Sequence, residues 1–461
     1  MGTIAVIEAT VDATISTGTG DSDFVDVVTT ENLVEGKVYH VICSAAVSTN
    51  NSDELFEWRL YDETNSEFLD GSHLELMMAQ AGVPQPYYFV GRITAGATTG
   101  GLVFQQKGYA EGSTEGYLPA RTLFLSMLLL DMSGMDSGDH FYANDASAQI
   151  DGSPWADKVS HTVSDIEEDD EWLVFAGSET SINSLTRSPE ARIDFSATVA
   201  SRAPHIKFEG KDLEEQVLWW MCKSYSLNPL DVGGSVTWAL QAREGSGTGA
   251  PSYTKNATLF GIKVSSLADS FMNYTQMGTS PSDTEYLELD SNIYTPTSDG
   301  KVIVAATSIF DAGGTNRTAG QRVQKKVTTI PNNVLDHTNF INTNDAGDAL
   351  PLSYITVYDG VSGENETIAY DVRVGTYYSG ISFKQHTLAM FGTTTIIADV
   401  TFSAVAKQVY TSGDVASETL VAGSKASQTL ASGDVAGQGF ASGDTASQSH
   451  SSGDVEAEAN P

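Results

Sequence analysis

The sequence predicts an all-β protein: three tandem antiparallel β-sandwiches followed by a short C-terminal segment of decapeptide repeats. Three observations lead there. The chain repeats itself at the scale of a domain, its apolar residues alternate with period two in short runs, and its end changes to a ten-residue periodicity.

Four landmarks define the long repeat. Each copy has a strand after an acidic or glycine-containing turn, at Gly36-Lys37-Val38, Asp170-Glu171-Trp172 and Gly300-Lys301-Val302. About twenty residues later comes an arginine beside an apolar residue: Arg59-Leu60, Arg192-Ile193 and Arg322-Val323. A late strand carries Lys107, Arg243 or Arg373, and a last strand opens with Thr122-Leu123, Thr258-Leu259 or Thr387-Leu388. From the first copy to the second the landmarks shift by 133 to 136 residues, and from the second to the third by 129 or 130. That period is the size of a whole domain, too long for a solenoid unit. The expected division is 1–133, 134–270 and 271–402 for the three sandwiches and 403–461 for the tail.

Within the first copy, strands are expected at Ile4 to Ile15, Asp23 to Val28, Lys37 to Val47, Leu55 to Tyr61, Tyr87 to Thr94, Gly101 to Gln106 and Arg121 to Met132. They are β-branched or aromatic and are separated by Gly, Asn, Asp and Ser. Three stretches depart from the pattern. Ser72 to Ala81 reads as a helical turn or short helix. Lys211 to Cys222 is ambiguous between a helix start and a strand. Pro331 to Pro351 is rich in Asn and Asp and reads as a long loop. Seven or eight strands per copy without a long helix make an antiparallel sandwich.

The tail starts at Tyr410. Glycine falls at 413, 423, 433, 443 and 453, followed by Asp in all cases but Ser424. Bulky residues mark a five-residue register: Tyr410, Val415, Leu420, Leu430, Val435 and Phe440. Composition alone describes a flexible linker. A register of apolar residues is unnecessary in a linker, so the segment is expected to be ordered, laid against another chain or wound as a small β-solenoid. These six residues are the expected partner-binding positions.

Charge narrows the function. The chain has 60 acidic and 24 basic residues, for a net charge of −36. Such a field opposes phosphate backbones and anionic lipid, so neither nucleic acid nor membrane insertion is expected. It suits a salty habitat, where screening relieves self-repulsion, as well as an ordinary acidic protein. Met1 to Glu8 has no basic start before an apolar run, so no secretory signal is expected. Cys43 and Cys222 lie in different copies within apolar runs and are expected to be buried free thiols.

No catalytic set stands out. The phosphate loop, the nucleophile elbow, the paired-histidine zinc motif and the dinucleotide fingerprint are all missing. No histidine has metal-ligand spacing to another. Asp21-Ser22-Asp23 and Asp165 to Glu171 offer oxygen ligands, but without the spacing of a calcium loop they read as solvated faces. No enzyme activity, cofactor or metal is expected. The recurrent Arg59, Arg192 and Arg322 read as structural: each sits on a half-wet strand and pairs with carboxylates or reaches a neighbouring domain.

A strand after a Gly-Lys turn, a short strand bearing Arg, a Gly-rich hairpin and a closing Thr-Leu strand resemble the jelly-roll β-sandwich modules of virion proteins, such as spikes, fibres and decoration proteins. In related form these occur in the trimeric heads of tumour-necrosis-factor-like proteins. The resemblance covers Met1 to about Phe402. It implies a structural role at the virion surface of a tailed phage or archaeal virus, as capsid decoration, turret or tail fibre. The partners it implies are other virion proteins, a homo-oligomer or an internal pseudo-trimer, and a host-surface glycan or protein. The alternatives are a glycan-binding or polysaccharide-degrading tail spike and a cell-surface adhesin.

Overall fold

A computed structural model describes residues 3–11, 15–16, 24–49, 55–77, 85–110, 117–118, 120–182, 188–196, 205–208, 215–226, 233–245, 251–267, 269–275, 286–312, 317–327, 330–343, 349–374 and 381–393. In the tail it describes 406–410, 419–420, 425–430, 439–440 and 445–450. The chain is all-β, and it divides into two compact units, Met1–Thr395 and Ile396–Pro461. Among the described residues no helix is long and apolar enough to cross a membrane.

The first unit begins with Thr3–Val11 (β1), Val25–Thr29 (β2), Val38–Thr49 (β3), Leu55–Asp62 (β4), Leu74–Met77 (β5), Gln85–Thr94 (β6), Leu102–Lys107 (β7) and Ala120–Gly134 (β8). They form two sheets, ordered β1-β8-β3-β6 and β2-β7-β4-β5. This is the jelly-roll order, in which the chain passes between the two sheets and the last strand returns beside the first.

His140–Asp145 (β9), Ala156–Ser164 (β10), Glu171–Ile182 (β11), Pro189–Phe195 (β12), His205–Lys207 (β13), Glu215–Ser226 (β14), Ser235–Glu244 (β15) and Tyr253–Lys263 (β16) follow. Their orders are β9-β16-β11-β14 and β10-β15-β12-β13. The third set is Ser270–Thr275 (β17), Leu287–Tyr294 (β18), Gly300–Ala312 (β19), Arg317–Val327 (β20), Ile330–Thr343 (β21), Ala349–Gly360 (β22), Glu366–Val374 (β23) and Ile381–Gly392 (β24). It gives β17-β24-β19-β22 and β18-β23-β20-β21. Every pairing in these six sheets is antiparallel, and one strand order occurs three times.

Each pair of sheets encloses its own core. Tyr39, Phe56, Trp58, Phe104 and Met127 fill the first, Trp172, Trp219, Trp238 and Leu240 the second, and Phe310, Tyr354, Tyr370 and Phe383 the third. A fourth apolar cluster belongs to none of the sandwiches alone. Ile42, Tyr88 and Leu128 of the first meet Phe175, Trp220 and Phe260 of the second and Ile303, Ile355 and Phe391 of the third. The four-stranded sheets containing β3, β11 and β19 are therefore apolar on both faces. This is why their strands read as continuous hydrophobic runs rather than clean alternations.

The contacts between sandwiches close on themselves. β5 lies against β14, β13 against β22, and β21 against β6. At one of these seams the ladder continues: Lys207 pairs with Ala349, which joins two four-stranded sheets into one of eight.

Three sequence expectations are corrected. Leu74–Met77 is a strand paired with β4, not helical, and residues 78–81 lie outside the described set. Glu215–Ser226 is a twelve-residue strand paired along its whole length with β11. Its Trp219 faces the second core and Trp220 the shared one, so a strand apolar on both faces loses the alternation that marks a strand. The stretch read as a loop contains the fourteen-residue strand Ile330–Thr343, and its last residues, from 349, open β22. Among the described residues that strand pairs with β20 alone, at the end of its sheet, where poor β-formers such as Asn and Asp are tolerated.

A landmark also moves. Ser44 of β3 stands opposite Ser126, whereas Gly177 and Thr307 of the corresponding strands stand opposite Thr258 and Thr387. The counterpart of Thr258 in the first sandwich is thus Ser126 rather than Thr122. The connection before β8, which holds the short paired strands Tyr109–Ala110 and Tyr117–Leu118, differs in length from the corresponding one in the second sandwich.

The second unit contains Ala406–Tyr410 (β25), Thr419–Leu420 (β26), Lys425–Leu430 (β27), Gly439–Phe440 (β28) and Thr445–His450 (β29). All pair in parallel. β25, β27 and β29 make one sheet, with Tyr410 beside Leu430 and Leu430 beside His450. β26 and β28 make another, with Leu420 beside Phe440. Strands twenty residues apart are neighbours, a spacing of two decapeptides.

Candidate functional site

The recurrent arginines take equivalent places. Arg59, Arg192 and Arg322 lie on β4, β12 and β20 at positions that alternate with core residues, so they face outward. Each donates from Nε to a residue of the adjacent strand: to Gln105 at 2.8 Å, Gln241 at 2.9 Å and Asp371 at 2.9 Å. Gln105 and Gln241 in turn donate to Asp26 and Asp157, each at 2.7 Å.

Sequence reasoning missed the third partner. The Arg59 guanidinium lies 3.6 Å from the centre of the Phe24 ring, Arg192 lies 4.4 Å from Trp155, and Arg322 lies 3.8 Å from Tyr286. The second basic landmark approaches the same rings: Lys107 at 5.5 Å, Arg243 at 4.6 Å and Arg373 at 4.7 Å. The three aromatics are spaced by 131 residues both times, a signal hidden because the residue type changes. Each ring begins an edge strand, β2, β10 or β18, and two cations hold it against the sheet. With its neighbourhood taken by cations, the ring is a fastening for the edge strand and offers little platform to a ligand.

Other ionisable groups are committed as well. Two members of the Asp165 to Glu171 run are paired from inside: Lys263 lies 2.7 Å from Asp170 and 3.6 Å from Glu167, and 3.9 Å from Asp139 outside the run. Asp21 to Asp23 lie outside the described residues. Glu57, His73 and Glu75 offer three ligand atoms within 4.8 Å of one another. However, Lys107 sits 2.6 Å from Glu57 and already supplies the positive charge. Burial works against the Glu57 charge, but Lys107 and His73 outweigh it and hold the carboxyl below its usual range. Burial raises both thiols, Cys222 to about 12, which leaves neither as a thiolate nucleophile.

A hollow lies between the first and second sandwiches, with a volume of about 590 Å³. One wall is β6 from Tyr88 to Thr94 with the 62–71 turn. The other holds Tyr142, Asn144, Ser178, Trp219, Asn256 and Thr258. A second hollow of about 290 Å³ shares Phe68, Asp70, Gly71, Ala146 and Asn256, and adds His73, Glu75, Glu179 and Lys255. Gly71 fixes the approach of the two walls. Its φ is +75°, and a Cβ there would lie 2.6 Å from the Cβ of Asn256. Asn256 itself has φ +52°, and its Nδ2 donates to Glu179 at 3.1 Å.

Of the six tail positions, Tyr410, Leu420, Leu430 and Phe440 fall on described strands, Tyr410 in register with Leu430 and Leu420 with Phe440, while Val415 and Val435 lie outside the described residues.

No family model matches the chain, and no curated protein does. Among solved structures it is similar to that titled "The Triple Jelly Roll Fold and Turret Assembly in an Archaeal Virus", at 9% identity over 81% of this chain and 82% of that one, with a TM-score of 0.18. It is also similar to the tandem CBM22 domains of Paenibacillus barcinonensis Xyn10C, at 9% identity over 55% and 93%, with a TM-score of 0.19. PNGase F from Flavobacterium meningosepticum matches at 11% identity over 56% and 96%, with a TM-score of 0.26. Likeness at this level assigns no function.

Proposed function

We propose that the chain is a structural protein of a virion surface, a capsid decoration or turret protein or a tail fibre component, with no catalytic role. The observation that carries this reading is the closed circuit of three jelly-roll sandwiches around a shared apolar interior, all within one chain. Such a pseudo-trimer makes a rigid platform without depending on subunit concentration. Its division at about 133, 270 and 402 leaves the tail as a separate strap. The recurring ionic groups fasten edge strands, and the sandwich ends carry the loops free to meet other virion proteins or a host surface. The parallel pairing of the tail sets Tyr410 beside Leu430 and Leu420 beside Phe440 in register, an order suited to attachment to a neighbouring chain.

The test is localisation. Antibodies raised against the full chain are applied to particles released by host lysis and viewed by electron microscopy. Labelling of the particle surface supports the reading. A chain found only in the lysate, with none in purified particles by mass spectrometry, overturns it. Removal of residues 403–461 is expected to leave the three sandwiches folded and to abolish incorporation.

A further inference from the structure

We infer that the hollow between the first and second sandwiches is a binding site for a short neutral saccharide. This goes beyond the structural role and does not rest on it: a protein absent from virions could still bind sugar here.

Four observations point to a ligand. The first is size. About 590 Å³, with an adjoining 290 Å³, falls in the range of small-molecule sites, roughly 300–1,000 Å³. The second is Phe68, which lines both hollows and is 52% exposed, the one exposed large aromatic among the described residues. An exposed ring on a rigid wall offers a flat apolar face. The third is Ser178. The residue lines the hollow, only 7% of it remains exposed, and its Oγ has no hydrogen-bond partner. A buried hydroxyl without a partner costs roughly 1–3 kcal/mol, and a ligand hydroxyl would relieve it. The fourth is Asn256, held in the left-handed region between the two hollows. A non-glycine residue with such a φ is worth a functional hypothesis when it lines a cavity.

The charges choose the ligand class. Glu67 and Asp70 line the larger hollow with Arg92, and Glu75 and Glu179 line the smaller one with Lys255. Carboxylates outnumber cations, which opposes phosphates, sulfates and sialic acids. The cations and some carboxylates are already engaged: Lys255 lies 3.7 Å from Glu179, and Arg92 lies over the Tyr142 ring at 5.2 Å. What remains is a set of neutral donors and acceptors around one exposed ring, that of Phe68. A pyranose matches it, with an apolar C–H face for Phe68 and hydroxyls that both donate and accept for Ser178, Asn144 and Asn256.

The test uses the full chain and four neutral probes: maltotriose, cellotriose, chitotriose and N-acetyllactosamine. Saturation-transfer NMR detects contact, and fluorescence of Trp219, which lines the hollow, gives affinity. At least one probe is expected to bind, and sialyllactose is expected not to. Phe68→Ala should weaken binding about tenfold, equivalent to about 1.4 kcal/mol, without moving the melting temperature. Should that variant fail to fold, Phe68→Leu keeps the bulk and removes the ring. Ser178→Ala should also weaken binding. Failure of all four neutral probes at millimolar concentration overturns the inference. So does binding that neither Phe68 nor Ser178 substitution changes.

Discussion

The indole N–H of Trp220 donates to the main-chain carbonyl of Cys43 at 3.0 Å. The two residues belong to different sandwiches, and the bond is one link of a circuit. The Ser353 hydroxyl of the third sandwich donates to the Trp220 carbonyl, and the Ser353 N–H donates to the Tyr88 hydroxyl of the first at 3.1 Å. Tyr88, Trp220 and Ser353 stand opposite Ser44, Gly177 and Thr307, the same register position in all three sandwiches. The three bonds thus run between sandwiches at one level of the shared interior.

Met1–Thr395 should therefore melt in one calorimetric transition rather than three. Trp220→Ala removes a fully buried indole and should cost about 3–5 kcal/mol while keeping the transition single. Three separable transitions in differential scanning calorimetry would show that the sandwiches are independent.

Acid should loosen the seam between the first two sandwiches. Burial, reinforced by His140 and Arg92, pushes His40 down to about 3, and its ring packs on Tyr142 and Phe260. The folded pKa lies below the ordinary 6.5, so the unfolded chain binds the proton first. Stability is full above pH 6.5 and falls as pH drops towards 3, by on the order of a few kcal/mol. His386, pushed by burial to about 4, adds to the loss. Urea midpoints at pH 7 and pH 4.5 should differ less in His40→Gln than in the parent.

A slope of the same sign, in a more alkaline window, is expected from Lys223. It faces the second core, where burial lowers it to about 8 against the pull of Asp194, and its Nζ lies 4.6 Å from the Tyr225 ring centre. The folded pKa is again below the unfolded one, so stability rises between pH 8 and 10.5. Lys223→Met should flatten that rise and stabilise the protein at pH 7 by roughly 2–3 kcal/mol. Chemical denaturation across that pH range reads both effects.

Two glycines with the same backbone should respond differently. Gly36 has φ +74° with nothing within 4 Å of a built Cβ, so Gly36→Ala should cost about 1 kcal/mol. Gly71→Ala meets Asn256 as well and should cost more. It should also alter the fluorescence of Trp219, whereas Gly36→Ala leaves that spectrum unchanged.

The fastening of edge strands can be read three times over. Phe24→Ala, Trp155→Ala and Tyr286→Ala should each cost about 1–2 kcal/mol, and the triple variant should cost nearly their sum. A large effect at one position alone would show that the three rings are not equivalent.

The sequence showed the fold class because strands wet on one face keep their alternation, and because Arg59, Arg192 and Arg322 repeat as one residue type. The aromatics at 24, 155 and 286 escaped notice because chemistry is kept there while identity changes. Trp219-Trp220 was unreadable for a different reason: two buried faces erase the period. The Asn-rich strand at 330–343 takes its order from its pairing with β20 rather than from propensity, and no local signal announces such a partner. The hollow was equally invisible, since its walls come from positions as far apart as Phe68 and Asn256.

One consequence follows from the residues at the centre. An assembly of three identical chains would have to place the same side chain there three times, and three indoles would crowd where three hydroxyls would leave a void. This chain places a phenol, an indole and a small hydroxyl at the one level, so a large group on one side can be matched by a small one on another. Covalent linkage gives up exact symmetry, and in return each member of the trio can be fitted to the other two.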